Sequence, residues 1–492
     1  MPEENISRPS PTERGLPYWE QPLPEDKELA KQETEARKDN LLLDVRAPAD
    51  VNRYMMDPMR RQSRRFWVLC VILAGGVLMW WGTWLYQAIN GIGVEGIGRP
   101  VMWAVYIVNF VYLIGIGHAG TFISAALRVL KFEWRRPISR AAETVTLFAL
   151  SMAAVYPLIH LGRVWKFYWL LPYPNQRQLW PSYHSPLLWD PTAILTYFSC
   201  SILFAYISLI PDIAMMRDHT TGRWQAFYRI FALGWRGTEK EWAHHETTQN
   251  VFSYGIIPVM FSVHTIVSWD FSMALQAGWH STIFGPYFVV GALFSGTGAV
   301  IIALIVLRQT MNLKFFLRPE HFNGMAMFML VLSLTWDYFY FNDYMAPWFA
   351  GAPVDRTLNI LLQSGAYAPF WYTMLICNAL IPALTLWSKK IRTNLTALFI
   401  VAVLVQVGMY LERIIIVPFS LARNELPFSW GVYTLQAPET MITIGTFCFL
   451  ILAYIIFTRV FPIIPLWEVY EGQALHGLRK VGHYLLHLKS AE

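Results

Sequence analysis

The stretch LTALFIVAVLVQVGMYLERIIIV, Leu395 to Val417, decides the fold. As a helix rising ~1.5 Å per residue, these roughly 23 residues cross a ~30 Å hydrocarbon core. Near its end the stretch carries two adjacent charges, Glu412 and Arg413. An unpaired charge in hydrocarbon costs at least ~2.5 kcal/mol, so such residues face a protein interior or a watery cavity. Sequence neighbours point ~100° apart around a helix. The two are therefore not expected to neutralise each other, and each needs a partner on another helix.

The same pattern recurs along the chain. Of 492 residues, 55% are hydrophobic, 16% aromatic and only 15% charged, and the mean hydropathy is +0.34. Apolar runs of spanning length occur at 66–89, 101–127, 141–160, 190–213, 244–269, 283–307, 319–341, 368–388, 395–417 and 438–458. The fold class is an all-α polytopic membrane protein of about ten transmembrane helices. Lysine and arginine in the connections set its orientation. One side holds Arg128, Lys131, Arg135, Arg136, Arg140, Arg217, Arg223, Arg229, Arg236, Lys240, Arg308, Lys314, Arg318, Lys389, Lys390 and Arg392; the other holds Arg99, Arg163, Lys166, Arg177, Arg356 and Arg423. The excess lies on the amino-terminal side, which puts both termini in the cytoplasm. The net charge of +6 follows from this topology and gives no reason to invoke nucleic acid.

Residues 1–65 read as a polar cytoplasmic tail. Arg60, Arg61, Arg64 and Arg65 read as a positive-inside anchor, not as a twin-arginine signal. Residues 460–492 read as a second cytoplasmic tail. After Pro465 an amphipathic helix is expected, with Leu475, Leu478, Leu485 and Leu486 on its apolar face. Cys70, Cys200, Cys377 and Cys448 each stand alone inside a span, with no ligand spacing for an iron–sulfur cluster or other metal. GIGVEG (Gly91, Gly93, Gly96) and GIGHAG (Gly115, Gly117, Gly120) match GxGxxG, but neither follows a strand, so a nucleotide fingerprint is rejected. Gly115, Gly117, Ala119 and Thr121 instead give the small-residue spacing of close helix packing.

Two halves of the chain share a pattern. Arg136-Pro137 opens the third helix and His160 closes it; Arg318-Pro319 opens the seventh, with Asn342 at the same spacing. HTIVSWDFS, His264 to Ser272, aligns without gaps to ERIIIVPFS, Glu412 to Ser420. This suggests two pseudo-repeated four-helix bundles, 101–271 (helices 2–5) and 283–417 (helices 6–9), flanked by the helices at 66–89 and 438–459. An even number of helices per unit gives both the same orientation, about an axis along the membrane normal. His264 and Glu412 become counterparts.

Depth sorts the intramembrane polar residues. His160, Asp190, His264, Asp270, Asn342, Asp343, Glu412 and Arg413 lie near the outer ends; His118, Glu143 and Asp212 lie in the inner half, with Asp337 between. Structural alternatives stand beside each. His160 suits a membrane interface, Asp190 before Pro191 suits a helix N-cap, Asp270 suits a bridge to Arg413, and Asp212 suits one to Arg217. Glu412 is the hardest to explain structurally. Between His160 and Asp190 lie Trp165, Phe167, Tyr168, Trp169, Tyr173, Trp180, Tyr183 and Trp189. They form an aromatic belt or a roof over a flat ligand.

Three functions fit a protonable layer at one face. A haem b anchor needs axial histidine pairs, for which only His160 and His264 offer themselves. A secondary transporter needs broken helices near the midplane, for which Pro258 and Pro382 give weak support. A quinol site needs two proton acceptors and a charged wall, which His160 and Asp190, then Asp270 and Arg413, supply. The third fits both depth and chemistry.

GIGHAGTFISAAL, RRPISRAAE, YPLIHLGR, the aromatic loop ending in LLWDPTA, and HTIVSWDFS together resemble the NrfD or polysulfide-reductase membrane-subunit family. The resemblance covers about 66–460, and ten helices with a long amino-terminal tail favour the branch found in alternative complex III. It implies menaquinol oxidation at the periplasmic side of a bacterial inner membrane. It also implies an iron–sulfur subunit as first acceptor, multihaem cytochrome c partners and a second NrfD-like subunit. Haems and clusters are expected on those partners and not in this chain. Finally, it implies an inner half-channel for protons, here His118, Glu143, Asp212 and Asp337 leading towards His264 and Glu412.

Overall fold

The computed structural model describes residues 63–171, 184, 186–314, 316–469, 478–481 and 484–487. Ten helices are long and apolar enough to cross a membrane: α1 Arg64–Asn90, α2 Val105–Val129, α3 Ser139–His160, α4 Pro186–Asp218, α5 Glu239–Ser272, α6 Phe284–Thr310, α7 Pro319–Ala350, α8 Ala368–Thr385, α9 Leu395–Phe419 and α10 Ala437–Val460. Each expected apolar run corresponds to one of them. Most of the first tail, including Arg60 and Arg61, lies outside the described residues, as do Tyr173, Trp180, Tyr183, Arg177 and Leu475.

Local chemistry sets the helix ends. The Ser63 side chain accepts from the Phe66 N–H at the start of α1, and Thr238 and Glu241 form a reciprocal capping box at the start of α5. Asn394 accepts from the Thr396 and Ala397 N–H groups to open α9. Two helices contain π-helical turns, Ile376–Leu380 in α8 and Ile415–Phe419 in α9. In the second, Pro418 cannot donate to the ladder, and the Ile416 carbonyl accepts from Trp279 Nε1 at 2.5 Å.

Packing follows burial. In α2, 83% of the apolar window is buried and in α6 72%, against 22% in α1 and α10, so the first two form the centre and the others the lipid-facing rim. α2 packs on α6, and α1 on α10. The pairings α2–α3, α2–α5, α3–α4 and α4–α5 recur as α6–α7, α6–α9, α7–α8 and α8–α9. Small residues allow the central contacts: a side chain at Gly117 would collide with Leu150, and one at Gly120 with Ala142. Gly296 of α6 lies against Ala119. The GIGHAG stretch is therefore a packing surface, as its spacing predicts.

After Pro465 the chain turns helical over residues 466–469, where the amphipathic helix is expected to begin; Leu475 lies outside the described residues, and Leu478, Leu485 and Leu486 fall in strands instead of on a helical face. Residues 461–469 form a strap across the amino-terminal face, with Ile463, Ile464, Leu466 and Val469 buried. A two-stranded antiparallel hairpin follows, Leu478–Val481 paired with Tyr484–His487. Over these two short segments cross-strand pairing satisfies the backbone in place of a helical ladder.

Candidate functional site

The face that carries the α1–α2, α3–α4 and α9–α10 connections is termed the far face, and that of the strap the near face. Three polar groups divide the molecule between them.

The first lies where the two sets of four helices meet. Glu412 Oε1 accepts from the Tyr287 hydroxyl of α6 and from Trp336 Nε1 of α7, the latter at 2.8 Å. The carboxylate thus finds partners on other helices, as expected. The expectation that Glu412 and Arg413 stay apart is corrected: Arg413 Nη2 swings back to 3.6 Å from Glu412 Oε2. A long side chain overcomes the ~100° between neighbours. The guanidinium lies 4.5 Å over the Phe288 ring. His264 and His118 meet edge to face with centroids 4.7 Å apart, and His118 stacks on Tyr197 at 4.4 Å. His118 was expected in the inner half and His264 in the outer layer; they share one level. Counting residues from helix ends ignores tilt, and α2 begins only at Val105 while α5 runs on to Ser272. His118 Nδ1 contacts the Ile114 carbonyl at 2.6 Å. His118 Nε2, both His264 nitrogens, Arg413 Nη1 and Glu412 Oε2 are buried with no hydrogen-bond partner. Five such atoms lie together in the centre of the bundle. The close approach of His118 and His264 leaves no room for a macrocycle between their rings.

The second group lies at the far face. Asp190 and Asp270 face each other across α4 and α5 in hydrogen-bonding contact. A bond between two carboxyl groups requires a shared proton. Each retains one buried oxygen, Oδ1, without a partner. This corrects two expectations: Asp270 meets Asp190 and not Arg413, and Asp190 is no N-cap, because α4 starts four residues earlier at Pro186. Trp189 and Trp269 pack at 5.9 Å beside the pair. His160 ends α3 with its side chain 23% exposed, and its Nδ1 lies 3.9 Å from Glu95 Oε2. The turn Val164–Leu170 packs on α3 and α4 and exposes Trp165, Phe167 and Tyr168.

In the third group, at the near face, the carboxylate oxygens of Asp212 and Glu468 are all engaged. Asp212 was expected on the inner proton path or paired with Arg217. It bonds Arg140 instead, and its oxygens also accept from the Leu466 and Trp467 N–H groups at 3.2 Å. Arg217 pairs with Asp218 at 2.8 Å. With its lone pairs occupied, Asp212 has a structural role. Glu468 of the strap takes Arg128 at 2.9 Å and Arg135 at 2.7 Å, and its carbonyl takes Arg136 at 2.9 Å. Burial pushes the Glu468 carboxyl up, but Arg135, Arg128 and Arg136 outweigh it and hold it at about 2. Above the strap Glu143 accepts from Ser124 Oγ at 2.5 Å and keeps one oxygen free. Asp337, half-buried on α7, joins neither cluster among the described contacts. Asn342 only bonds its own helix, at the Tyr338 carbonyl.

The sequence reading missed Glu95. It sits in GIGVEG, in a connection read as a short loop, and its side chain is wholly buried. The glycines explain why. Gly162, at φ +71°, lies against Ile92 with no room for a side chain, and Gly96 lies against the Thr434 carbonyl. These contacts press the loop between the end of α3 and the start of α10. Burial, then repulsion from Glu439, pushes the Glu95 carboxyl up to about 9. Glu439 is itself held by Tyr433 and the Gln436 N–H, both at 2.7 Å. A carboxylate inside a glycine motif that fails as a nucleotide site was the one available signal.

Comparison with known proteins agrees with this architecture. Residues 93–423 match the family model described as polysulphide reductase, NrfD. A putative membrane subunit of a dimethyl sulfoxide reductase of Halobacterium salinarum is 23% identical over 49% of this chain and 50% of its own length. A selenate reductase subunit of Mesobacillus selenatarsenatis is 22% identical over 48% of this chain and 54% of its own. The chain thus spans about half the length of these two relatives. An Hdr-like menaquinol oxidoreductase integral membrane subunit of Archaeoglobus fulgidus is 21% identical over 82% of this chain and 95% of its own. Since the family match alone takes in all of α2 to α9, with the central and far-face polar groups, the chain belongs to the NrfD polysulphide reductase family.

Proposed function

We propose that this chain is the quinol-binding membrane subunit of a quinol:electron-acceptor oxidoreductase of the alternative complex III type, in the position of its larger membrane subunit, ActC. In this reading menaquinol is oxidised at the far face, which is periplasmic in a bacterial inner membrane with both termini cytoplasmic. Electrons leave to an iron–sulfur subunit docked there, and multihaem cytochrome c proteins together with a second NrfD-like subunit make up the rest of the complex. The bundle divides at 101–271 and 283–417. The name of the Archaeoglobus relative supports the substrate class.

The observation that carries the reading is the Asp190–Asp270 carboxyl pair, buried at the far face with an unpartnered oxygen on each member. Quinol supplies two electrons and two protons, and the protons are what these side chains handle. One carboxyl of the pair and the His160 imidazole would receive one proton each, on opposite sides of a flat ring. Trp189 and Trp269 would hold that ring and keep water out. Arg413, held by Glu412 and Phe288, moves from the quinol wall to the central group. There, with His118, His264 and Glu412, it would couple turnover to proton movement. Glu143 would supply that group from the near face, and Asp337 remains a weaker candidate. Asp212 leaves the route because its oxygens are already bonded.

The test is quinol:acceptor turnover by the intact complex in membranes. Asp190→Asn and Asp270→Asn should each abolish turnover while the complex still assembles; normal turnover in both would sink the assignment. Co-purification with iron–sulfur and c-type haem proteins checks the proposed complex separately.

A further inference from the structure

Glu95 is a buried carboxyl at the far face that the reaction as described leaves unused. Its oxygens lack hydrogen-bond partners, as does the Nδ1 of His160, 3.9 Å away. Buried polar atoms left open call for an explanation, and two titratable groups open towards each other are placed to exchange a proton. We propose that Glu95 is the relay partner of His160, a positioning residue that fixes which imidazole nitrogen meets the substrate and carries protons onward from it. This rests on the quinol reading and deepens it.

The geometry gives the order of events. Nδ1 faces Glu95, so Nε2 is the nitrogen left to meet a substrate hydroxyl. When Nε2 accepts the substrate's proton, the imidazolium stands beside a neutral carboxyl. Its charge favours ionisation of Glu95, which releases its proton towards Glu439 and Tyr433 at the base of α10. The Nδ1 proton then moves to Glu95 and restores it. His160, left with its proton on Nε2, returns to the Nδ1–H tautomer through the solvent that its 23% exposed side chain meets. One proton enters from the substrate and one leaves. The two electrons go to a redox centre of the partner protein, as the proposed function requires. The titratable groups facing Glu95 are His160 of α3, Glu439 of α10, Tyr106 of α2 and Tyr433 before α10. Above about 9 Glu95 is already ionised and has no proton to release, so kcat should fall there.

The experiment uses the intact complex carrying Glu95→Gln or Glu95→Asp. Glutamine keeps the shape and cannot titrate; aspartate can titrate but reaches less far. Expected for Glu95→Gln is a kcat about tenfold or more below wild type, unchanged affinity for a quinol analogue, and loss of the alkaline fall. Glu95→Asp should recover part of the rate. A readout free of turnover is infrared titration of the quinol-free complex with labelled glutamate. A protonated carboxyl band should vanish near pH 9 in the wild type and be missing from Glu95→Gln. Unchanged kcat and pH profile in Glu95→Gln would overturn the proposal, as would loss of assembly or analogue binding in both variants, which assigns a purely structural role. Failure of the wild-type complex to oxidise quinol at all would instead overturn the proposed function.

Discussion

The two faces of this bundle use the same residue types to opposite ends. At the near face Asp212 and Glu468 meet arginines and backbone donors, and their carboxylate oxygens are bonded. At the far face Asp190, Asp270 and Glu95 meet other acids or a histidine, and each keeps a buried oxygen open. A carboxylate surrounded by donors holds structure, because breaking it strands a charge. One left among acceptors keeps its proton exchangeable. The number of buried acids therefore says little; what they face says a great deal.

Removing a partner at the near face is the sharpest way to break this contrast. Asp212→Ala strands Arg140 and should cost ~3–5 kcal/mol, read as loss of the folded chain from the solubilised complex. Glu468 acts in acid. Its folded value of about 2 lies below the ordinary 4.5, so its stabilisation is complete above pH 4.5 and lost as pH falls towards 2. The shift corresponds to ~3 kcal/mol, and thermal midpoints between pH 6 and 3 should drop less steeply in Glu468→Gln. The far-face substitution Asp190→Asn should do the reverse: turnover falls by ~100-fold or more, and the thermal midpoint stays unchanged. Glu412→Gln tests the central group. It should spare quinol-analogue binding, keep turnover within a factor of ~3 and lower the protons moved per electron. Asn342→Ala should be the smallest change, within ~0.5 kcal/mol. Its side chain bonds only its own helix, although the repeat makes it the counterpart of His160.

How far the chain could be read divides along the same physical line. Apolar length fixed the ten spans, because a hydrocarbon slab admits few solutions. The four-residue spacing of Gly115 and Ala119 likewise announced the α2 surface that packs on α6. Counting along helices also brought Asp190, Asp270 and His160 to one face. It failed for azimuth: nothing in the spacing turned Asp270 towards Asp190 in place of Arg413. It failed for tilt, which brought His118 up to His264. It missed Glu95 because its burial arises from contacts distant in sequence, Gly162 with Ile92 and Gly96 with Thr434. The strap escaped for the same reason, since Arg140 and Asp212 take partners from 461–469.

That strap has a consequence for biosynthesis. Residues 461–469 follow all ten spans, so they leave the ribosome after the helices they fasten. Until they arrive, Asp212 lacks the Leu466 and Trp467 amides, and Arg128, Arg135 and Arg136 lack Glu468. The near ends of α2 and α3 then lack the carboxylate that their arginines share, while Asp212 keeps Arg140 alone. The contacts that tie the near ends of α2, α3 and α4 together are therefore completed last, by one short segment.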